Sequence, residues 1–135
     1  MPVLDVAEQN LILDCRYGPD RSALVTGSYA FELWSGDPRD EDDGSHEVAG
    51  GGYAAVAWDN DDWGPADGGA TTTTTEVEVV LTGVLDDVDS VTHWLYRNTT
   101  TGDRAFSGPL AAEIVPAGAG TIAFTATIPF ADPEA

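Results

Sequence analysis

The chain offers carboxylates in abundance and little else that does chemistry. Asp59, Asp61 and Asp62 lie within four positions, between Trp58 and Trp63. Acidic residues also gather at 40–43 and 86–89. Hard oxygens crowded into loops are what Ca²⁺ takes as ligands. None of these runs has the D-x-[DN]-x-[DN]-G-x₅-E spacing of a calcium loop, so they read first as solvated acidic loops. If calcium binds anywhere, Asp59, Asp61 and Asp62 are the place expected, because two tryptophans flank that loop. Nucleophilic chemistry has less to work with. G-x-S-x-G is absent, Cys15 is the single cysteine, and the two histidines, His46 and His93, have no companion ligands nearby in sequence. No catalytic residue, cofactor site or confident metal site is expected, and the chain does not read as an enzyme.

Gly50-Gly51-Gly52 raises the question of a phosphate cradle. No Lys-Ser/Thr pair follows, no helix follows, and acidic loops flank it. A turn delivering the chain to a half-buried strand explains the glycines better. Four tryptophans, at 34, 58, 63 and 94, are many for a chain of 135 residues. Trp63, in a loop, is the one expected to present a ring to a sugar; the other three fall within strand patterns. Asn98-Thr99-Thr100 fits an N-glycosylation acceptor, a pattern frequent by chance.

Composition narrows the partners. Sixteen Asp and eight Glu face five Arg and no Lys, for a net charge of −19. Such a field repels phosphate backbones, which argues against nucleic acid. It also strains the compact state in dilute buffer. At about 1 M salt the screening length shrinks to roughly 3 Å and most of that strain goes. A surface rich in Asp and devoid of Lys suits work in concentrated salt. Hydrophobic residues make up 42% of the chain, enough for a core. No run approaches the roughly 20 apolar residues of a membrane span, and MPVLDVAEQ lacks the features of a signal peptide, so a soluble protein is expected.

These groups must be positioned by short strands. Leu4, Ala7, Leu11, Ile12 and Cys15 recur at helical spacing, predicting a helix over about 4–16 that ends at Gly18-Pro19. Beyond it the period becomes two. Strands are predicted at about 22–34, 53–59, 75–83, 91–97, 104–107, 110–115 and 121–129, with Thr71–Thr75 as the edge start of the third. Short alternating strands between turn-rich loops predict a mostly β, single-domain antiparallel β-sandwich, jelly-roll or Ig-like, with one short N-terminal α-helix. Alternation also predicts one wet face per sheet.

In order along the chain, these segments resemble a family of small virion proteins of tailed viruses, commonly labelled tail fibre or tail-associated proteins. The resemblance rests on AEQNLILD before a glycine-containing break, LWSGDP (33–38), EVAGGGYAAVAW (47–58), VTHWLYRNTTTGDRAFSGPL (91–110) and VPAGAGTIAFTATI (115–128). Each is turn-and-strand chemistry; their order and spacing carry the likeness over nearly the whole chain. Ala55 stands where the family often has Arg, and the acidic inserts are heavier. The resemblance implies a virion component, assembled in the host cytoplasm: tail-associated, at a vertex, or decorating the capsid surface. Its expected partners are other virion proteins and further copies of itself, and its expected work is assembly, with host attachment as a further role. The alternative reading is a carbohydrate-binding module that engages a host surface glycan through Trp63.

Overall fold

A computed structural model describes Asn10, Leu13, Tyr17 and residues 28–40, 46–86 and 90–129. The described residues are mostly β, in antiparallel sheets. Eight strands follow in order: β1 (Tyr29–Trp34), β2 (Val56–Trp58), β3 (Ala70–Thr72), β4 (Val77–Leu81), β5 (Val91–Asn98), β6 (Arg104–Ile114), β7 (Gly120–Phe124) and β8 (Thr127–Pro129). They divide between two compact units, one holding 27–58 and 77–124, the other holding 59–76 with the two chain ends.

In the larger unit, β2, β1, β5 and β6 form a four-stranded sheet in that order, and β4 pairs with β7. On one face of the sheet, Phe31 meets four rings: Trp58, Trp94, Tyr96 and, from β7, Phe124. Three of these contacts are edge-on, at 73–84°, the arrangement favoured by ring quadrupoles. Gly108 on β6 belongs to this packing, since a Cβ there would come within 2.7 Å of the Trp94 ring. The β4–β7 pair alternates as its sequence predicts: Val77, Val79 and Leu81 are buried while Glu78 and Val80 face out.

β1 departs from the expectation of one wet face, because all six of its residues are buried. On the second face Arg97 lies on Glu32 and Arg104 over the Trp34 ring, while segment 46–58 runs along one edge of β1 in two pieces. Glu47 bridges Trp34, and Val56–Trp58 pairs with Phe31–Tyr29. Between them the chain loops out through the triglycine. Gly50, Gly51 and Gly52 have φ of 80°, 59° and 74°, a left-handed run only glycine makes cheaply. The loop docks on residues 82–86: Thr82 and Gly83 donate their N–H groups to the Gly51 carbonyl, and Asp86 donates to Ala49. A Cβ on Gly51 would sit 2.6 Å from the Gly83 carbonyl oxygen. The expected strand at 53–59 is shortened to Val56–Trp58, and that at 75–83 to Val77–Leu81; Tyr53, Thr82 and Gly83 serve this brace instead.

The smaller unit is built on β3 and β8, with the hydroxyls of Thr72 and Thr127 at 2.9 Å. The threonine run alternates as strand chemistry: Thr71 and Thr73 are buried, Thr72 and Thr74 exposed. It does not run into β4 as one strand; the break comes at Thr74–Thr75. Asp67-Gly68-Gly69-Ala70 closes a two-residue turn whose central φ values, 62° and 80°, suit a hairpin. The predicted final strand at 121–129 is split into β7 and β8, because the Ala126 carbonyl turns to accept the Thr73 N–H. The predicted pieces at 104–107 and 110–115 join in β6, whose register against β5 shifts between His93 and Val91. The expected first strand begins at Tyr29; residues 22–27 lie outside those described. So does most of the expected helix at 4–16. Tyr17 donates its N–H to Leu13 O at 2.9 Å, but the described residues define no α-helical element, and the N-terminal helix has no support.

Candidate functional site

The second face of the four-stranded sheet holds the greatest concentration of paired ionisable groups among the described residues. Alternation on β1 puts Ala30, Glu32 and Trp34 on this face, and antiparallel register sets Arg97 of β5 across from Ala30. The Glu32 carboxylate accepts from Arg97 Nε at 2.7 Å and Nη2 at 3.2 Å, a two-pronged pair. It also accepts from Trp34 Nε1 at 3.1 Å. Arg97 Nη1 donates to the Gly102 carbonyl at 2.8 Å, and its bond to Glu32 raises the guanidinium pKa further.

Glu47 and Tyr53, at the two ends of the triglycine excursion, close the cluster. The Tyr53 hydroxyl donates to Glu47 Oε1 at 3.2 Å and accepts from the Leu33 N–H at 3.1 Å. Burial, and then the negative charge of Glu32, push the Glu47 carboxyl above the ordinary glutamate range; the Tyr53 bond and Arg97 oppose this. Burial likewise raises the Tyr53 phenol. The Tyr53 phenol thus ties the 46–53 segment to β1, and the Glu32–Arg97 pair ties β1 to β5. Beside them, the Arg104 guanidinium lies 5.0 Å from the centre of the Trp34 ring and donates to the Pro38 carbonyl. Asp37 is held below the usual carboxylate range by its hydrogen bonds to Arg39.

Each of these groups is used on another part of the chain. Glu32 is buried, and the indole of Trp34 and the Arg97 side chain occupy its oxygens. The arrangement joins β1 to β5 and to the 46–53 segment.

The residues singled out from sequence fall elsewhere. Asp59, Asp61 and Asp62 are in the smaller unit, around a short 3₁₀ turn at Asn60–Asp62. Asp62 Oδ2 accepts the Asp59 N–H at 3.1 Å, capping the turn instead of aiming outward. Among the described residues no group of three His, Cys, Asp or Glu is placed to hold a metal ion. Trp63, expected as an exposed sugar platform, is 1% exposed and bridges Thr73. All four tryptophans are buried, so none offers a ring face for stacking. His93 Nδ1 and the Thr92 hydroxyl are 2.8 Å apart, which gives that ring a packing role, and Cys15 lies outside the described residues.

Sequence reasoning missed the Glu32–Arg97–Glu47–Tyr53 cluster. Two signals pointed toward it. YAFELW carries one glutamate among apolar residues, and VTHWLYRN carries one of only five arginines in a chain crowded with acids. A lone charge of each sign in aromatic-rich strands predicts that they meet. No protein-family model matches the chain, and no curated protein matches it.

Proposed function

We infer that this protein is a structural component of a tailed virus particle, a tail-associated, vertex or capsid-surface subunit of β-sandwich type. It acts by surface complementarity in assembly, in concentrated salt. The observation that carries the reading is the ordered series of segments resembling the tail-associated family, from LWSGDP through EVAGGGYA to the closing VPAGAGTIAFTATI. The chemistry of the larger unit supports it. Glu32 and Arg97 join two strands, Tyr53 fastens a loop to β1, and Trp34, Trp58 and Trp94 serve the interior. The net charge of −19 without lysine supports the salt environment. Buried rings weigh against the glycan-binding alternative, which needs an exposed one.

Quantitative mass spectrometry of purified particles tests this, with the copy number of the chain expressed against the major shell protein. Near-equal copies place it as a capsid decoration, and a small fraction places it on the tail or a vertex. Absence from intact particles refutes the reading.

A further inference from the structure

We propose that Glu47 and Tyr53 form an acid-set latch across the ends of the triglycine loop, closed while Glu47 carries a proton and loosened when it ionises. The middle of the loop is held by residues 82–86, its ends by β1. At the ends, Val48 donates its N–H to Leu33 O at 3.0 Å, and Ser35 donates to His46 O at 2.9 Å. The Tyr53 hydroxyl takes the Leu33 N–H. Between these points Gly50, Gly51 and Gly52 add little stiffness of their own. The bond from the Tyr53 hydroxyl to Glu47 Oε1, at 3.2 Å, joins the two ends to each other.

The charges around Glu47 make its proton decisive. Glu32 acts on it from β1 and Arg97 from β5, with Tyr53 at the far end of the loop. Asp86 stands against the same loop at Gly50. Arg97 commits Nε and Nη2 to Glu32 and Nη1 to Gly102 O, so the guanidinium of the cluster is bonded to the other acid. Ionised, Glu47 is a second negative charge, half-buried, with the Tyr53 hydroxyl as its donor. Protonated, it keeps that bond through its carbonyl oxygen and no longer repels Glu32. Moving the loop off β1 returns Glu47 to water, so ionisation favours opening. Burial and Glu32 together outweigh Tyr53 and Arg97 and raise the Glu47 carboxyl above the ordinary value near 4.5. The closed loop therefore binds the proton more tightly; closure is fully favoured below that value and loses support as pH rises through the raised one. Opening passes the N–H and C=O of Leu33 and the N–H of Ser35 to water, a local event at the edge of β1. Charges partly out of water are screened less than surface ones, so the latch persists in concentrated salt.

The test is amide exchange followed by NMR on the full chain in molar KCl, from about pH 4 to about pH 8, with intrinsic exchange divided out. Protection of the Val48 and Ser35 amides should fall as pH rises, while the β4–β7 pair stays protected. The fall should be about tenfold for each pH unit that separates the proton affinities of Glu47 in the closed and open loop. Glu47→Gln, which cannot ionise, should hold the loop amides at one level of protection throughout. Tyr53→Phe cuts the tie between the ends and should lower their protection severalfold in acid. Constant protection in the wild type overturns the proposal, as does a Tyr53→Phe loop as protected as the wild type. A fall that survives in Glu47→Gln also overturns it and assigns the titration to exposed His46 beside it. A parallel fall in β4 and β7 means global unfolding and equally overturns the latch. If Glu47→Gln does not fold, the titration of the Glu47 carboxyl carbon in the wild type decides: its midpoint must coincide with the loss of protection, and a separate midpoint overturns the proposal. Nothing in this test depends on the particle reading, which stands or falls on copy number.

Discussion

Arg97→Met isolates what the buried ion pair does. Methionine fills much of the arginine volume but removes both bonds to Glu32, leaving a carboxylate whose side chain is 8% exposed with the Trp34 N–H as its remaining hydrogen bond. Stranding one partner of a buried pair costs about 3–5 kcal/mol. Arg97 is itself 22% exposed, and water reaching the vacated position lowers the cost toward about 3 kcal/mol. Against a total stability of about 5–15 kcal/mol that is a large loss, equivalent to a midpoint lower by about 10 °C for a chain of this size. Thermal and urea unfolding followed by tryptophan fluorescence measure it. The decisive comparison is the double variant Glu32→Gln/Arg97→Met. Its neutral amide oxygen still accepts from Trp34 Nε1, and no buried charge is left unpaired, so more than half of the loss should return. A single variant costing under about 1 kcal/mol would refute the reasoning, as would a double variant no more stable than the single.

Three further outcomes follow from the same geometry. The folded state raises the Glu47 carboxyl, so it binds that proton more tightly than the unfolded chain does. The resulting stabilisation is full in acid, below the ordinary glutamate value near 4.5, and fades as pH rises through the raised value; the stability of wild type relative to Glu47→Gln should fall as pH rises from below 4.5, and a constant difference in unfolding titrations would contradict it. Gly51→Ala and Gly68→Ala start from nearly equal φ, 59° and 62°, but a Cβ at 68 meets nothing within 4 Å. Gly68→Ala should cost about 1 kcal/mol and Gly51→Ala about 3 kcal/mol in urea unfolding, the excess being collision with the Gly83 carbonyl; equal costs would remove the brace. Finally, the melting midpoint should climb steeply from dilute buffer to molar KCl, and an indifferent midpoint would rule out self-repulsion as a limit on stability.

Local chemistry made the class of structure readable. Alternation of period two in Val77–Leu81 has one physical solution, a strand with a buried face, and Val77, Val79 and Leu81 are found inside; the strand expected at 91–97 is also found, as Val91–Asn98, but with Trp94, Leu95 and Tyr96 all buried. The triglycine between acidic loop and apolar run could be read as turn geometry without knowing what it touches. Charge and composition also act without reference to fold, so the repulsion of phosphates and the preference for salt could be argued from −19 alone.

Pairing is another matter, because a strand's partner and a side chain's surroundings are set by residues far away in the chain. YAFELW predicts a strand with one wet face, and it is the side chains of Arg97 and Arg104, from distant strands, that lie on Glu32 and Trp34 there. Once water is excluded there, Glu32 needs Arg97, 65 positions on, and no spacing rule connects them. Trp63 looked exposed because it sits in a polar loop; its bridge to Thr73 puts it inside. The acids at 59–62 looked like ligands for the same reason, until Asp62 turned back to cap its own turn. Periodicity and composition therefore determined that this chain is an acidic, antiparallel β protein. Which charges are buried and which rings reach solvent were decided by tertiary contacts, since burial belongs to the assembled chain and not to any residue alone.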